Sequence, residues 1–309
     1  MNQQARVKSQ SKINIVLKKD YTEHEDTASQ SNPKVHAPYF RFIDQYFSSI
    51  VGLDGLKHQI KEIYAQVLIE QKRKEMGLKT NHQVRHMIFK GNPGTGKTTV
   101  ARLVAQLFQE MKVLESGHLI EADRGELVGE YIGHTAQKTK DLITKALGGI
   151  LFIDEAYSLA RGGEKDFGKE AIDTLVKCME DYHEQLIIIL AGYPVEMEEF
   201  LSMNPGLASR FPLQLNFNNY KAEELSAIAR VMLKEKDYTL TPQAERKLYE
   251  HLAEASYYPP RNFANARYVR NLIEDAVRKH AYRLANRENW NKKDLMTLEP
   301  SDFHFNSIT

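Results

Sequence analysis

The sequence predicts an α/β fold: a parallel sheet of five strands covered by helices on both faces, followed by a small helical domain. Three observations carry this. Five short apolar segments alternate with amphipathic stretches between residues 86 and 217. The segments are almost continuously apolar, as strands are when both faces are buried. Beyond residue 217 the helical period persists and strand-like segments become scarce.

The strand candidates are HMIFK (86–90), HLIEA (118–122), GILFID (149–154), LIIILAG (186–192) and LQLNF (213–217). Between the first two, Val100, Leu103, Val104, Leu107, Phe108 and Met111 recur at helical spacing and make one apolar stripe. Ahead of the sheet, Asp54 is placed to cap a helix running through Ile60, Ile63 and Val67. The pattern changes at NFNNYK, residues 216–221. Amphipathic stretches follow, and in the last of them Val269, Leu272, Ile273, Ala276 and Val277 form the apolar face. The chain therefore divides into a polar tail (1–35), a large α/β domain (36–217) and a helical domain (218–309). Within the tail, INIVL (13–17) is a candidate strand or docking peptide.

Of the 309 residues, 42% are hydrophobic and 27% charged, a composition that supports a packed core. Lys and Arg number 42 against 41 Asp and Glu, and the net charge of +1 argues against a nucleic-acid partner. The single cysteine, Cys178, rules out an intrachain disulfide and reads as a packed thiol on a helix. No apolar run approaches the ~20 residues of a membrane helix. The N-terminus lacks a signal-peptide core, so the expectation is a cytoplasmic protein with no membrane insertion.

GNPGTGKT, residues 91–98, satisfies G-x-x-x-x-G-K-[ST] between a predicted strand and a predicted helix. In that setting Gly91, Asn92, Pro93, Gly94, Thr95 and Gly96 turn backbone N–H groups toward phosphate oxygens. The helix N-terminus, through Thr99, adds positive potential. Lys97 supplies a point charge for the β and γ phosphates, and the Thr98 hydroxyl a ligand for Mg²⁺. GGILFIDEA (148–156) is an apolar strand ending in two acids. Asp154 falls at the carboxyl end of that strand, where open α/β sheets bind ligands. It is expected to hold Mg²⁺ through water, and Glu155 to polarise the attacking water. ATP and Mg²⁺ are thus the expected substrate and cofactor. The acid pair suits hydrolysis better than transfer to a small acceptor.

Taken together, GNPGTGKTTVAR, LVGEYIGHTAQKTK, GGILFIDEAYSL, AGYPVEM, NPGLASRFP and NARYVRN resemble the AAA+ ATPases. More narrowly, they resemble the branch of the red-type rubisco activases and the stage V sporulation K proteins. The resemblance implies an ATPase that forms a homo-oligomeric ring, usually a hexamer, with ATP between subunits and an unidentified protein client, in bacterial sporulation. It implies that Val51 and Gly52 line the adenine. Arg210 would reach into the neighbouring site as an arginine finger, and Arg267 would touch the γ-phosphate from the helical lid. Tyr131, Ile132 and Gly133 would form a pore-loop triplet that grips a threaded polypeptide. His134 and Lys138 read as solvated loop charges or ring contacts.

Without the resemblance, Tyr131 reads as a core tyrosine and Arg210 as a surface charge. Two positions depart from the family pattern. Tyr193 stands where most members carry an Asn or Thr sensor, and Ala264 where the branch has Gly before Asn-Ala-Arg. Three other readings stay open: a rubisco activase-like chaperone, a nucleotide-gated assembly switch without threading, and a nucleic-acid motor. The near-neutral charge and the aromatic triplet count against the last.

Overall fold

A computed structural model describes residues 38–80, 83–131, 133–161, 167–259 and 263–305. The tail with its INIVL segment, and Ile132 of the triplet, lie outside the described residues. Two helices, α1 (Pro38–Tyr46) and α2 (Asp54–Glu75), precede β1 (Met87–Gly91). Then come α3 (Lys97–Glu110), β2 (Leu119–Ala122), α4 (Arg124–Leu127), α5 (His134–Ala146) and β3 (Ile150–Ile153). A 3₁₀ turn (Ala156–Ala160), α6 (Gly168–Asp181), β4 (Ile187–Gly192), α7 (Pro194–Met203), α8 (Pro205–Ala208) and β5 (Leu213–Phe217) complete the first half. The predicted strands all form, within a residue of their expected bounds.

The sheet order is β2-β3-β4-β1-β5 and every pairing is parallel. In register, Met87 faces Ile189 on one side and Leu213 on the other. The pleat sends alternate residues to opposite faces. Met87, Phe89, Ile150, Phe152, Ile187 and Ile189 therefore join one buried cluster, and Ile88, Leu151, Ile153, Ile188 and Leu190 the other. The first face is covered by α3, whose Val100, Val104, Leu107 and Phe108 are buried, and by Ile60, Ile63 and Val67 of α2. The second is covered by Ile143 of α5, Ile172, Leu175 and Cys178 of α6, and Met197 and Phe200 of α7. Burial pushes the Cys178 thiol above its ordinary pKa, the state of a packed and unreactive sulfur.

The second half is helical: α9 (Ala222–Lys234), α10 (Pro242–Tyr257), α11 (Ala266–Ala285) and α12 (Lys292–Met296). Val269, Ile273 and Ala276 of α11 are buried as the spacing predicts, while Leu272 and Val277 are half-buried at the edge of that face. The structure adds a short parallel ladder between β6 (Thr239–Leu240) and β7 (Thr297–Leu298). Leu225, Leu248, Val269 and Phe303 continue the cluster that covers the first face of the sheet, so the helical half and the sheet share one core.

One local expectation is corrected. Asp54 is the first helical residue of α2, not its cap; Leu53 holds the cap position in a left-handed conformation, φ 56°. The acid instead sits in the first turn, where it complements the helix dipole. Among the described residues no helix is long and apolar enough to cross a membrane.

Candidate functional site

The phosphate loop bridges β1 and α3. Gly94 and Gly96 take positive φ, 69° and 96°, so the backbone can reverse without a Cβ penalty. Gly91 is required by packing: a Cβ there would lie 2.6 Å from Cβ of Phe217 on β5. Inside the loop the Thr95 hydroxyl donates to the Asn92 carbonyl at 2.8 Å. Lys97 is folded back and buried, its Nζ donating to the carbonyls of Gly91 (2.7 Å) and Asn92 (3.0 Å). Burial lowers its pKa; the charge of Asp154 opposes that, Arg267 adds to it, and Glu155 opposes it. A buried ammonium answered chiefly by carbonyls fits an anionic ligand, because a phosphate would compensate its desolvation.

The helical half closes on this loop. Ala266 N donates to Gly94 O at 3.1 Å, and the Tyr220 hydroxyl to Thr95 O at 3.1 Å. Asn265 is fully buried, with φ 50° and ψ −122°, a backbone state unfavourable for any residue but glycine. Its Nδ2 donates to Pro93 O (3.2 Å) and to Oδ1 of Asn219 (3.1 Å), while its Oδ1 accepts from Tyr220 N (3.0 Å). The same Asn219 oxygen accepts from Asn92 at 2.9 Å. Bonds from Asn265, Ala266 and Tyr220 engage acceptors of the phosphate loop and leave its N–H donors to an anion.

Sequence reasoning did not single out Asn265, Asn219 or Tyr220. Asn265 precedes an amphipathic helix and reads locally as an N-cap. The structure diverts its side chain from capping to the phosphate loop.

The two acids follow β3. Asp154 is exposed at the strand end, its N–H bonded to Ala122 O of β2 at 2.9 Å. Its Oδ1 accepts from Glu155 N at 3.0 Å. Glu155 is exposed in a left-handed conformation, φ 47°, which turns it out of the strand direction. Its Oε1 accepts from the Tyr193 hydroxyl at 3.3 Å. Thr98, half-buried in the first turn of α3, and Asp154 are hard oxygen donors of the kind Mg²⁺ takes alongside phosphate oxygens and water.

The remaining candidates fall into two groups. Arg267 opens α11 against the phosphate loop: a Cβ on Gly94 would lie 2.9 Å from Arg267 N, and the guanidinium charge is felt by both Lys97 and Tyr193. Half-buried Val51 packs on the first core, and Gly52 (φ 63°) is pressed on α9, where a Cβ would meet Glu224 Oε1 at 2.0 Å. Arg210 belongs to the turn before β5; it bonds Glu180 of α6 and Gly206 O (2.6 Å). Tyr131 lies between α4 and α5, 64% exposed, edge-on to His134 at 5.5 Å. That exposure removes the core reading of this tyrosine. Gly133 holds the cap position of α5 at φ 82°, and among the described residues a Cβ there would meet nothing within 4 Å. Lys138 is not merely solvated; it ties down the segment before Tyr131 by donating to Gly125 O (2.6 Å) and Val128 O (3.1 Å).

This geometry can cradle a polyphosphate at the carboxyl edge of a parallel sheet, beside a carboxylate able to polarise water. Comparison with known proteins agrees. The family described as "ATPase family associated with various cellular activities (AAA)" matches residues 87–219, and the AAA lid domain matches residues 221–308. The chain is 54% identical over 304 residues to stage V sporulation protein K of Bacillus subtilis (strain 168), covering 96% of this chain and 94% of that protein. It is 43% identical over 263 residues to the chloroplastic ribulose bisphosphate carboxylase/oxygenase activase of Cyanidioschyzon merolae (strain NIES-3377 / 10D), covering 84% and 89%. With protein CfxQ of Xanthobacter flavus it shares 43% over 244 residues, covering 79% and 76%. AAA+ proteins bind ATP and typically form oligomeric rings. The chain therefore belongs to the AAA family: it is an ATPase with a helical lid, related to stage V sporulation protein K and to the rubisco activase and CfxQ proteins.

Proposed function

We propose that the protein is a chaperone-like, cytoplasmic remodelling ATPase that works as a homo-hexameric ring on a protein client in bacterial sporulation. The phosphate loop (Gly91, Asn92, Pro93, Gly94, Thr95, Gly96), with Thr99, cradles the phosphates, and Lys97 adds its charge. Thr98, and Asp154 through water, would hold Mg²⁺, whose charge would offset that of the phosphate oxygens. Glu155 polarises the attacking water, Arg267 reads the γ-phosphate from the lid, and Val51 and Gly52 line the adenine. Arg210 enters the neighbouring subunit's site, and Tyr131, Ile132 and Gly133 grip the client. The lid begins near residue 218, so the nucleotide lies between the α/β domain (36–217) and the lid.

The observation that carries this reading is the phosphate loop itself: Lys97 is buried with its Nζ on the Gly91 and Asn92 carbonyls, and the lid closes on the loop through Ala266 N and the Tyr220 hydroxyl, whereas Tyr131 stands exposed on a separate loop. In this reading chemistry and grip are assigned to different segments. The similarity to stage V sporulation protein K, at 54% over nearly the whole chain, supports the sporulation role over that of a rubisco activase. The activase relatives favour a second reading, with rubisco as the client; a source genome without rubisco would remove it.

The test is ATP hydrolysis against protein concentration, with particle sizing, for wild type and Arg210→Ala. Specific activity should rise as rings form. It should fall by about 10³-fold or more in Arg210→Ala, with ATP binding retained. The Glu180 pair lost in that variant is partly exposed and contributes little to stability. Activity independent of both concentration and Arg210 would overturn the shared site.

A further inference from the structure

Glu224 lies half-buried in the first turn of α9, at the start of the lid. One of its carboxylate oxygens is committed: Oε2 accepts from Lys221 N at 2.8 Å and closes the helix start. The other is not. Among the described residues Oε1 takes part in no hydrogen bond or ion pair, and it occupies the space that a Cβ on Gly52 would need. Val51 and Gly52 are themselves half-buried, and among the described residues their backbone N–H and C=O groups make no hydrogen bond. Backbone groups left unpaired at such depth, beside an uncommitted carboxylate oxygen, mark a place for the polar edge of a ligand.

This corner is tied to the phosphate loop. Tyr220, just ahead of α9, donates from its hydroxyl to Thr95 O at 3.1 Å and from its N–H to Asn265 Oδ1 at 3.0 Å. Burial, and then the charge of Glu224, raise the Tyr220 phenol to about 12, so the carboxylate is felt at the residue that touches the loop. Ile228, one turn further along α9, is buried in the core on which Val51 packs, an apolar flank suited to a planar ring.

We infer that Glu224 selects the base of the nucleotide: its free Oε1 accepts from the exocyclic amino group of adenine and repels the oxygen that hypoxanthine and guanine carry in the same place. The inference rests on the reading above that Val51 and Gly52 line the adenine. Peptide groups cannot supply this choice alone, because each residue offers one donor and one acceptor and so serves either kind of purine edge. A carboxylate offers acceptors only. It rewards an amino group and penalises an oxygen, since two acceptors then face each other with no proton between them.

The test is displacement of a fluorescent ADP analogue from the full chain by ADP, IDP and purine riboside diphosphate, for wild type and Glu224→Gln. IDP carries an oxygen where ADP has its amino group, and the riboside carries only hydrogen. Diphosphates keep hydrolysis out of the measurement. Wild type should bind ADP about 10- to 100-fold tighter than IDP, the scale of a hydrogen bond to a charged group, with the riboside between them. Gln can keep its oxygen on Lys221 N and then turns an amide donor to the base. The ratio of ADP to IDP affinity should therefore fall by about 10-fold or more in Glu224→Gln. A merely structural role for Glu224 would weaken all three ligands alike.

Equal wild-type affinities for ADP and IDP overturn the inference before any variant is made. So does tighter binding of IDP, which would mean that the carboxylate meets the N1–H edge instead. A Glu224→Gln variant that weakens the three ligands by one common factor also overturns it, leaving Glu224 as a helix cap. Gly52→Val, which puts a side chain into the corner, should weaken all three together. Undiminished binding by that variant overturns the adenine lining, on which the inference stands.

Discussion

Gly94 in the phosphate loop and Gly133 beside Tyr131 share a backbone state, with φ 69° and 82°. Their surroundings differ completely. A Cβ on Gly94 would lie 2.0 Å from the carbonyl oxygen of Ala264, whereas one on Gly133 would meet nothing within 4 Å among the described residues. The first glycine serves two demands at once, a left-handed turn and the approach of the lid backbone. The second serves only the turn. The phosphate loop is thus shaped jointly by the sheet and the lid, whereas the segment before Tyr131 is held locally, by Lys138 of α5. A site that must sense whether the lid is closed gains from the first arrangement. A segment that must contact varied partners gains from the second.

Substitutions can break or sharpen this contrast. The largest effect is expected from Gly94→Ala, which adds overpacking against Ala264 to left-handed strain. It should cost about 2–5 kcal/mol in urea unfolding and weaken ATP-analogue binding sharply. A silent Gly94→Ala would mean that the lid does not rest on the loop. Next comes Asn265→Ala, which leaves buried partners at Pro93 and Tyr220 unsatisfied. A destabilisation of about 2–3 kcal/mol is expected in the same assay. Asn265→Gly should cost less than the Ala variant, because glycine relieves the positive φ while losing the same hydrogen bonds.

Gly133→Ala is expected to cost only the conformational penalty, about 1–2 kcal/mol, with analogue binding unchanged. Tyr131→Ala should be smallest in stability, within about 0.5 kcal/mol, because the side chain is exposed. If the proposed grip is real, Tyr131→Ala abolishes client remodelling all the same. Full remodelling by that variant would remove the tyrosine from the mechanism.

Much of the fold was legible before any coordinates. The strands stood out because nearly every residue of β3 and β4 is apolar, the mark of a parallel sheet covered on both sides. The stripe on α3 was legible because Val100, Val104, Leu107 and Phe108 repeat with the helical turn. Less visible was the short ladder between Thr239 and Thr297, since two residues carry no period. Asp54 misled because acids favour both the cap and the first turn, and only the left-handed Leu53 shows which of the two is used.

At the site, the residues of the phosphate loop and the two acids could be listed from their motif. How they are held could not. Nothing local marks Asn265 as a contact of Pro93, 172 positions away, or Tyr193 as a donor to Glu155, 38 positions away. The sequence by itself determined what depends on neighbours within one element: apolar period, turn-forming glycines, and a lysine and threonine at a helix start. Only the tertiary structure decided which elements touch. It seated the lid on Gly94 and Thr95, bound Lys97 to its own loop carbonyls, and brought the phenol of Tyr193 to the carboxylate of Glu155. The physical reason is that a hydrogen bond between distant residues depends on how packed elements dock, which local pattern does not encode.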